Sequence, residues 1–131
     1  MPVGYKISPE RRLVTLAVTG DLDEPAIRDV ERALTTDPAY DRDYDHLLDV
    51  REGRNLIGSS AVLREMAAKP IVNPGVRRAI VTSNLVAYGL ARLFQMTHDT
   101  RGLGDEIQIF RTMEEAEVWL ALPRTPASRS A

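Results

Sequence analysis

The chain has 131 residues and a formal charge of −2, from 17 Lys and Arg against 19 Asp and Glu. That length predicts one domain burying about two-thirds of its unfolded surface, and the near-neutral balance excludes the broad basic field that nucleic acid or an anionic membrane demands. The absence of cysteine excludes disulfides, thiolate metal sites and a Cys nucleophile.

Two strand-like runs open the chain, Gly4 to Ser8 and Leu13 to Thr19, with Pro9-Glu10-Arg11-Arg12 between them as a hairpin connection. In the second run Val14, Leu16 and Val18 share one face, and Leu13, Thr15 and Ala17 the other. Gly20-Asp21-Leu22-Asp23 breaks the alternation. Asp23 is an N-cap, Glu24 and Pro25 form a first helical turn, and Ile27, Val30 and Leu34 keep helical spacing until Asp37-Pro38. Beyond the polar loop Tyr40 to Asp45, His46-Leu47-Leu48-Asp49-Val50 has the continuous apolar character of a central strand buried on both sides.

Arg51 to Gly58 is expected to be a loop, and a helix starting at Ser59 or Ser60 carries Val62, Leu63, Met66 and Ala67 as far as Pro70. Arg77 to Thr82 is the next strand. Asn84 caps a long helix whose stripe is Val86, Leu90, Leu93, Phe94 and Thr97, stopped at Arg101-Gly102-Leu103-Gly104. Glu106 to Phe110 is a last strand, and Thr112-Met113-Glu114-Glu115 is a capping box that opens a helix through Leu122. The order β-β-α-β-α-β-α-β-α predicts an α/β fold: a single mixed sheet of about five strands with about four helices on its faces. The domain spans 1–122. Residues 123–131, with two prolines and no large apolar side chain, form a flexible tail.

Few residues suit catalysis. Only two histidines exist: His46 reads as a strand-edge residue, and His98 as a last-turn cation favoured by the helix dipole. Neither has a His, Asp or Glu at metal-ligand spacing, and no phosphate-binding glycine loop or dinucleotide fingerprint occurs, so no metal and no cofactor is expected. Asp21 with Asp23, and Glu114 with Glu115, fall in caps and first turns. One place stands out: Gly58, Ser59 and Ser60 put two hydroxyls at a helix start following a strand, where free N–H groups favour a phosphate, with Arg51, Arg54 and Arg64 near in sequence. No apolar run of about 18 residues exists, and MPVGYKISPERR lacks a signal peptide's apolar region, so a cytoplasmic protein without stable membrane insertion is expected. Trp119, Leu120 and Leu122 suggest an exposed apolar face suited to a homodimer.

Together, Thr19-Gly20-Asp21-Leu22-Asp23, Leu48-Asp49-Val50 leading to Ser59-Ser60, Arg92-Leu93-Phe94-Gln95-Met96, and Ile107-Gln108-Ile109-Phe110 with Glu115-Ala116 resemble the STAS domain family. The resemblance is to its SpoIIAA-like branch of small bacterial proteins, and it runs from about Tyr5 to Leu122. It implies a non-catalytic regulatory or protein-interaction module. It also implies that Ser59 corresponds to a serine phosphorylated by a partner kinase, although Gly58 stands where the family has Asp and Ala61 where it has Gly. The leading expectation is therefore protein–protein contact through the Gly58–Ser60 helix start. Asp21, Asp49, Arg51, Arg54, Asn84 and Tyr88 are candidates for binding a partner or ligand. The alternative implied by the same branch is a small apolar or lipid-like ligand in a closed cavity beneath the long helix, which offers Tyr88, Phe94 and Met96.

Overall fold

A computed structural model describes residues 3–54 and 60–123, the side chains of Ser60 and Leu63 excepted. The elements are β1 (Val3–Ser8), a 3-10 turn (Pro9–Arg11), β2 (Leu13–Asp21), α1 (Glu24–Thr35), β3 (Asp45–Arg54), α2 (Ser60–Ala67), β4 (Arg77–Val81), α3 (Leu85–Asp99), β5 (Glu106–Phe110) and α4 (Met113–Ala121). The five strands form one mixed sheet in the order β1-β2-β3-β4-β5. β1 and β2 are antiparallel, and every later pair is parallel and joined through a helix. The expected α/β architecture of an opening hairpin and alternating strands and helices is the one found.

Local chemistry explains the punctuation. Arg12 closes the first hairpin in the left-handed region, with φ 51°. Asp23, Asn84 and Thr112 each accept a hydrogen bond from the backbone N–H three residues on, at 2.8, 2.9 and 3.1 Å. These caps satisfy N–H groups that have no partner inside the helix. Thr112 also donates to Glu115 Oε1 at 3.0 Å, so both box residues engage one another. After α3 the chain must turn tightly enough for Gly104 to pass Pro74: a Cβ on Gly104, whose φ is 92°, would lie 2.8 Å from the Pro74 Cβ.

Strand alternation divides the core. On one face Val3, Val18, Val50, Ile80 and Ile107 pack with Ile27 of α1, Val62 of α2, and Ala87 and Ala91 of α3. On the other, Leu13, Leu47, Ala79 and Val81 pack under Ala116 of α4, flanked by Phe110, Met113, Trp119 and Leu120. β3 is central and buried on both sides, as its continuous apolar run predicts.

Three expectations need correction. β3 does not end at Val50 but pairs with β2 as far as Arg54, and the register slips so that Val50 and Arg51 together oppose Val18. The extension is a polar ribbon past the end of β4, so it carries none of the apolar alternation that marks a strand. The buried side of α3 is Ala87, Ala91, Gln95 and His98, with Val86 exposed. Gln95 is inside because its amide donates to the Ile107 carbonyl at 2.6 Å. Finally, Trp119 and Leu120 are half-buried against the sheet, the ring of Trp119 lying 5.5 Å from that of Phe110, so the exposed apolar residues of this region are Val118 and Leu122.

Leu47→Ala should cost about 2–5 kcal/mol of unfolding free energy, because it opens a cavity under α4, whereas Val118→Ala should stay within about 0.5 kcal/mol. Urea denaturation of the two variants checks the difference.

Candidate functional site

The sequence-derived candidates gather at the C-terminal end of the sheet and largely engage one another. Asp49 Oδ1 accepts from the Arg51 backbone N–H at 3.0 Å and from its Nε at 2.9 Å, while Oδ2 accepts from Nη2 at 2.9 Å. This clamp spans the β3 bulge, and the guanidinium bonds hold the Asp49 carboxyl below its usual range against the opposing effect of burial. Asp21 and Arg54, paired across the strand extension, approach to 3.2 Å in solvent. Ser83 Oγ donates to the Arg51 carbonyl at 3.0 Å, which ties the β4–α3 turn to the bulge. Asn84 is spent on capping α3. Tyr88 lies in a half-open recess with Thr82, Ser83 and Leu85, beneath the Arg111 guanidinium at 5.9 Å. Gly58, Ser59 and the Ser60 side chain lie outside the described residues, as do residues 124–131, where a flexible tail is expected, and the proposed capping by Ser59.

A second site lies between the sheet and the α1–α3 layer: an apolar pocket of about 180 Å³. Leu16, Val18, Leu48 and Ile80 form its sheet wall, Ile27 and Val30 come from α1, Met66 from α2, and Leu90 and Phe94 from α3. It is half-open rather than the closed cavity expected, and it extends under α1 as well as the long helix. Of the three α3 side chains offered by the sequence, Phe94 alone lines it; Met96 is exposed and Tyr88 belongs to the other recess. Three polar residues interrupt the apolar wall: Glu31, His46 and Arg78.

His46 is not a strand-edge residue. It is 4% exposed, on the same face of β3 as Leu48 and Val50, with Nε2 3.4 Å from the Tyr40 hydroxyl. Burial, helped by the nearby Arg78 charge, pushes its pKa down to about 3, so the ring is neutral. Tyr40 donates to the Ile71 carbonyl at 2.7 Å, and burial raises its phenol above the ordinary value. Arg78 Nη1 lies 3.3 Å from Asp105 Oδ2, and its guanidinium sits over the Phe94 ring at 5.6 Å. The other Asp105 oxygen meets His98 Nε2 at 2.8 Å.

His98 is thus no exposed last-turn cation: it is 1% exposed and fixed by Asp105, with Asp99 3.2 Å from Nδ1. Sequence reasoning missed this polar wall. The available signal was positional, since His46 and Arg78 occupy inward steps of strands whose neighbouring inward steps are Leu48 and Ile80. Glu31 gives less warning, because it sits among the charged residues of α1.

Among the described residues no group of three or more His, Cys, Asp or Glu is placed to hold a metal ion. None of the helices so described is long and apolar enough to cross a membrane.

No family model matches the chain, and no curated protein matches it. Among solved structures it is similar to an uncharacterized protein from the DUF3478 family with a SpoIIAA-like fold, from Shewanella loihica PV-4. The likeness has a TM-score of 0.56 at 17% identity and covers 91% of this chain and 92% of that one. The chain therefore has a SpoIIAA-like fold, at the level of the sheet order and the helices around it.

The neutral His46 fixes the sign of one pH effect. The unfolded chain takes up a proton near pH 6.5, the folded chain only near 3, so this contribution to stability is full above about 6.5 and falls as pH drops through that window. The slope approaches about 1.4 kcal/mol per pH unit. His46→Leu should lack that component, so chemical denaturation of both proteins between pH 7 and pH 4 should show the wild type losing stability faster. Separately, His98→Leu leaves Asp105 without its shortest partner and should destabilise by about 3 kcal/mol, read from the same denaturation curves.

Proposed function

We propose that this SpoIIAA-like chain is a non-catalytic module that takes up a small apolar ligand in the pocket between α1, α2, α3 and the sheet. The observation that carries this reading is the pocket itself. Close packing ordinarily fills the gap between helices and sheet, and here a half-open space of about 180 Å³ remains between largely apolar walls. Outside the short polar stretch of Glu31, His46 and Arg78, water there would meet only apolar side chains, whereas an apolar molecule loses nothing by leaving solvent. An engineered apolar cavity of about 150 Å³ accommodates benzene, which sets the scale of the occupant. A catalytic reading lacks its parts: His98 and Asp105 are sealed inside, and the Tyr40 hydroxyl beside His46 is committed to the Ile71 carbonyl.

A second reading, protein contact at the C-terminal end of the sheet, draws support from the apolar surface at the start of α3. Leu85 is 81% exposed, with Val86 and Tyr88 beside it in solvent. Asp21, Asp49, Arg51, Arg54 and Asn84 would then serve by holding the ribbon and turn that present this surface. Phosphate on Ser59 or Ser60 would alter it by charge. The partner in that reading is another protein, or a second copy of this chain, in a cytoplasmic regulatory setting.

The ligand reading is tested by titrating the isotopically labelled chain with toluene and following the methyl resonances. Shifts at Val30, Leu48, Leu90 and Ile80 are expected, and their absence at saturating toluene would remove it. Val30→Phe, which places a ring in the pocket, should weaken toluene binding at least tenfold while leaving the circular dichroism spectrum unchanged. For the second reading, incubation with a bacterial lysate and ATP followed by phosphosite mapping should place phosphate on Ser59 or Ser60; an unmodified segment would remove the switch.

A further inference from the structure

The polar groups in the pocket wall specify what kind of apolar molecule fits. His46 and Arg78 are register partners on β3 and β4, so they sit side by side. The single Tyr40 hydroxyl proton goes to the Ile71 carbonyl. The 3.4 Å approach of His46 Nε2 to that hydroxyl therefore has the ring nitrogen as donor. This tautomer leaves Nδ1 an acceptor with no hydrogen-bond partner among the described residues, accessible from the half-open pocket rather than sealed in the wall. Glu31 adds a second acceptor: Oε1 takes a hydrogen bond from Lys69 at 3.2 Å, while Oε2 is buried without a partner. Arg78, beside His46, supplies donors, and among the described residues its one side-chain hydrogen bond is from Nη1 to Asp105.

Each candidate head group meets this set differently. A carboxylate brings no proton to Nδ1 and faces the Glu31 charge. An ammonium faces the Arg78 charge. A plain hydrocarbon covers Nδ1 without bonding it, and so removes it from any water reaching the half-open pocket and leaves it unsatisfied. A hydroxyl alone both donates to Nδ1 and accepts from a guanidinium, without bringing a charge.

We infer that the pocket takes a small neutral molecule bearing one hydroxyl, a phenol or a short alcohol, with its hydroxyl donating to His46 Nδ1 beside Arg78. This deepens the ligand reading above and rests on it. The volume admits one substituted ring or a chain of about six to eight carbons, by comparison with the benzene-sized cavity.

The experiment is a calorimetric titration of the full chain at pH 7 with three probes sharing one ring: toluene, p-cresol and 4-methylbenzoate. The expected result is p-cresol binding about tenfold tighter than toluene, the worth of one buried hydrogen bond, with 4-methylbenzoate the weakest. His46→Leu should erase the p-cresol advantage by removing the hydrogen-bond acceptor, so that p-cresol and toluene bind the variant with equal affinity. Equal affinities for p-cresol and toluene in the wild type would overturn the hydroxyl assignment while leaving the apolar pocket reading intact. Tightest binding by 4-methylbenzoate would overturn it in favour of an anion held by Arg78. Retention of the p-cresol advantage in a folded His46→Leu protein would overturn the role of His46, and no binding by any probe would overturn the pocket reading itself. The wild-type series decides the head group even where the variant fails to fold.

Discussion

Burial of β3 on both faces constrains everything around it. A strand with Leu47 pointing to one side and Leu48 and Val50 to the other must be covered twice, and the cover is unequal: α4 alone on one face, α1, α2 and α3 on the other. The single helix seats closely, with Ala116 against Leu47, Ala79 and Val81 and the larger Trp119 and Phe110 closing its margin. Three helices of different length meet less well. α2 runs only from Ser60 to Ala67 against the 15 residues of α3, and the pocket lies where these helices and α1 face the sheet together.

What keeps that layer assembled is partly electrostatic and at its edge. Arg28 of α1 reaches Glu65 of α2 at 2.5 Å, and Glu31 of α1 reaches Lys69 just beyond α2 at 3.2 Å. The first pair is exposed and the second half-buried, and surface pairs contribute little stability each, about 0–1 kcal/mol. They do not substitute for packing; they hold the α1–α2 seam in register where apolar contact is thin. The buried cluster of Arg78, Asp105 and His98 is of another kind, because its carboxylate and imidazole are sealed from solvent. It joins β4, the entry to β5 and the last turn of α3, so the wall carrying Arg78 is also the joint that positions the long helix.

Much of this fold was legible in the sequence, because its strongest signals are local. Caps at Asp23, Asn84 and Thr112 announce themselves through side chains that satisfy N–H groups three residues away. The alternation of Val14, Leu16 and Val18 needs no knowledge of the partner strand. The failures share the opposite property. Arg51 to Arg54 is a strand only because Thr19 to Asp21 lies beside it, and Gln95 and His98 are buried only because Ile107 and Asp105 receive them. Hydrophobic periodicity treats a polar residue as outward-facing unless something distant satisfies it, so α3 was turned by one position. The pocket was legible only as an implication of family resemblance, since a space between elements has no residues of its own.

The two candidate sites sit at different places in this frame, and their chemistry separates them. At the C-terminal end of the sheet the charged side chains find one another: Asp49 is clamped by Arg51, and Asp21 faces Arg54. Pairs so matched stiffen a ribbon and leave little unsatisfied for a small ligand to exploit; what that end offers is shape and the apolar surface of Leu85 and Val86. In the pocket the reverse holds. His46 has been driven neutral by burial and by Arg78, and one of its nitrogens has no partner among the described residues, beside a guanidinium that bonds Asp105. Glu31 Oε2, buried without a partner among the described residues, is a cost that folding alone gives no reason to keep, and His46 Nδ1 becomes one when the pocket is filled. A molecule that completes those hydrogen bonds recovers the cost on binding, and for that reason the polar residues of the pocket, more than its volume, carry the case for a ligand.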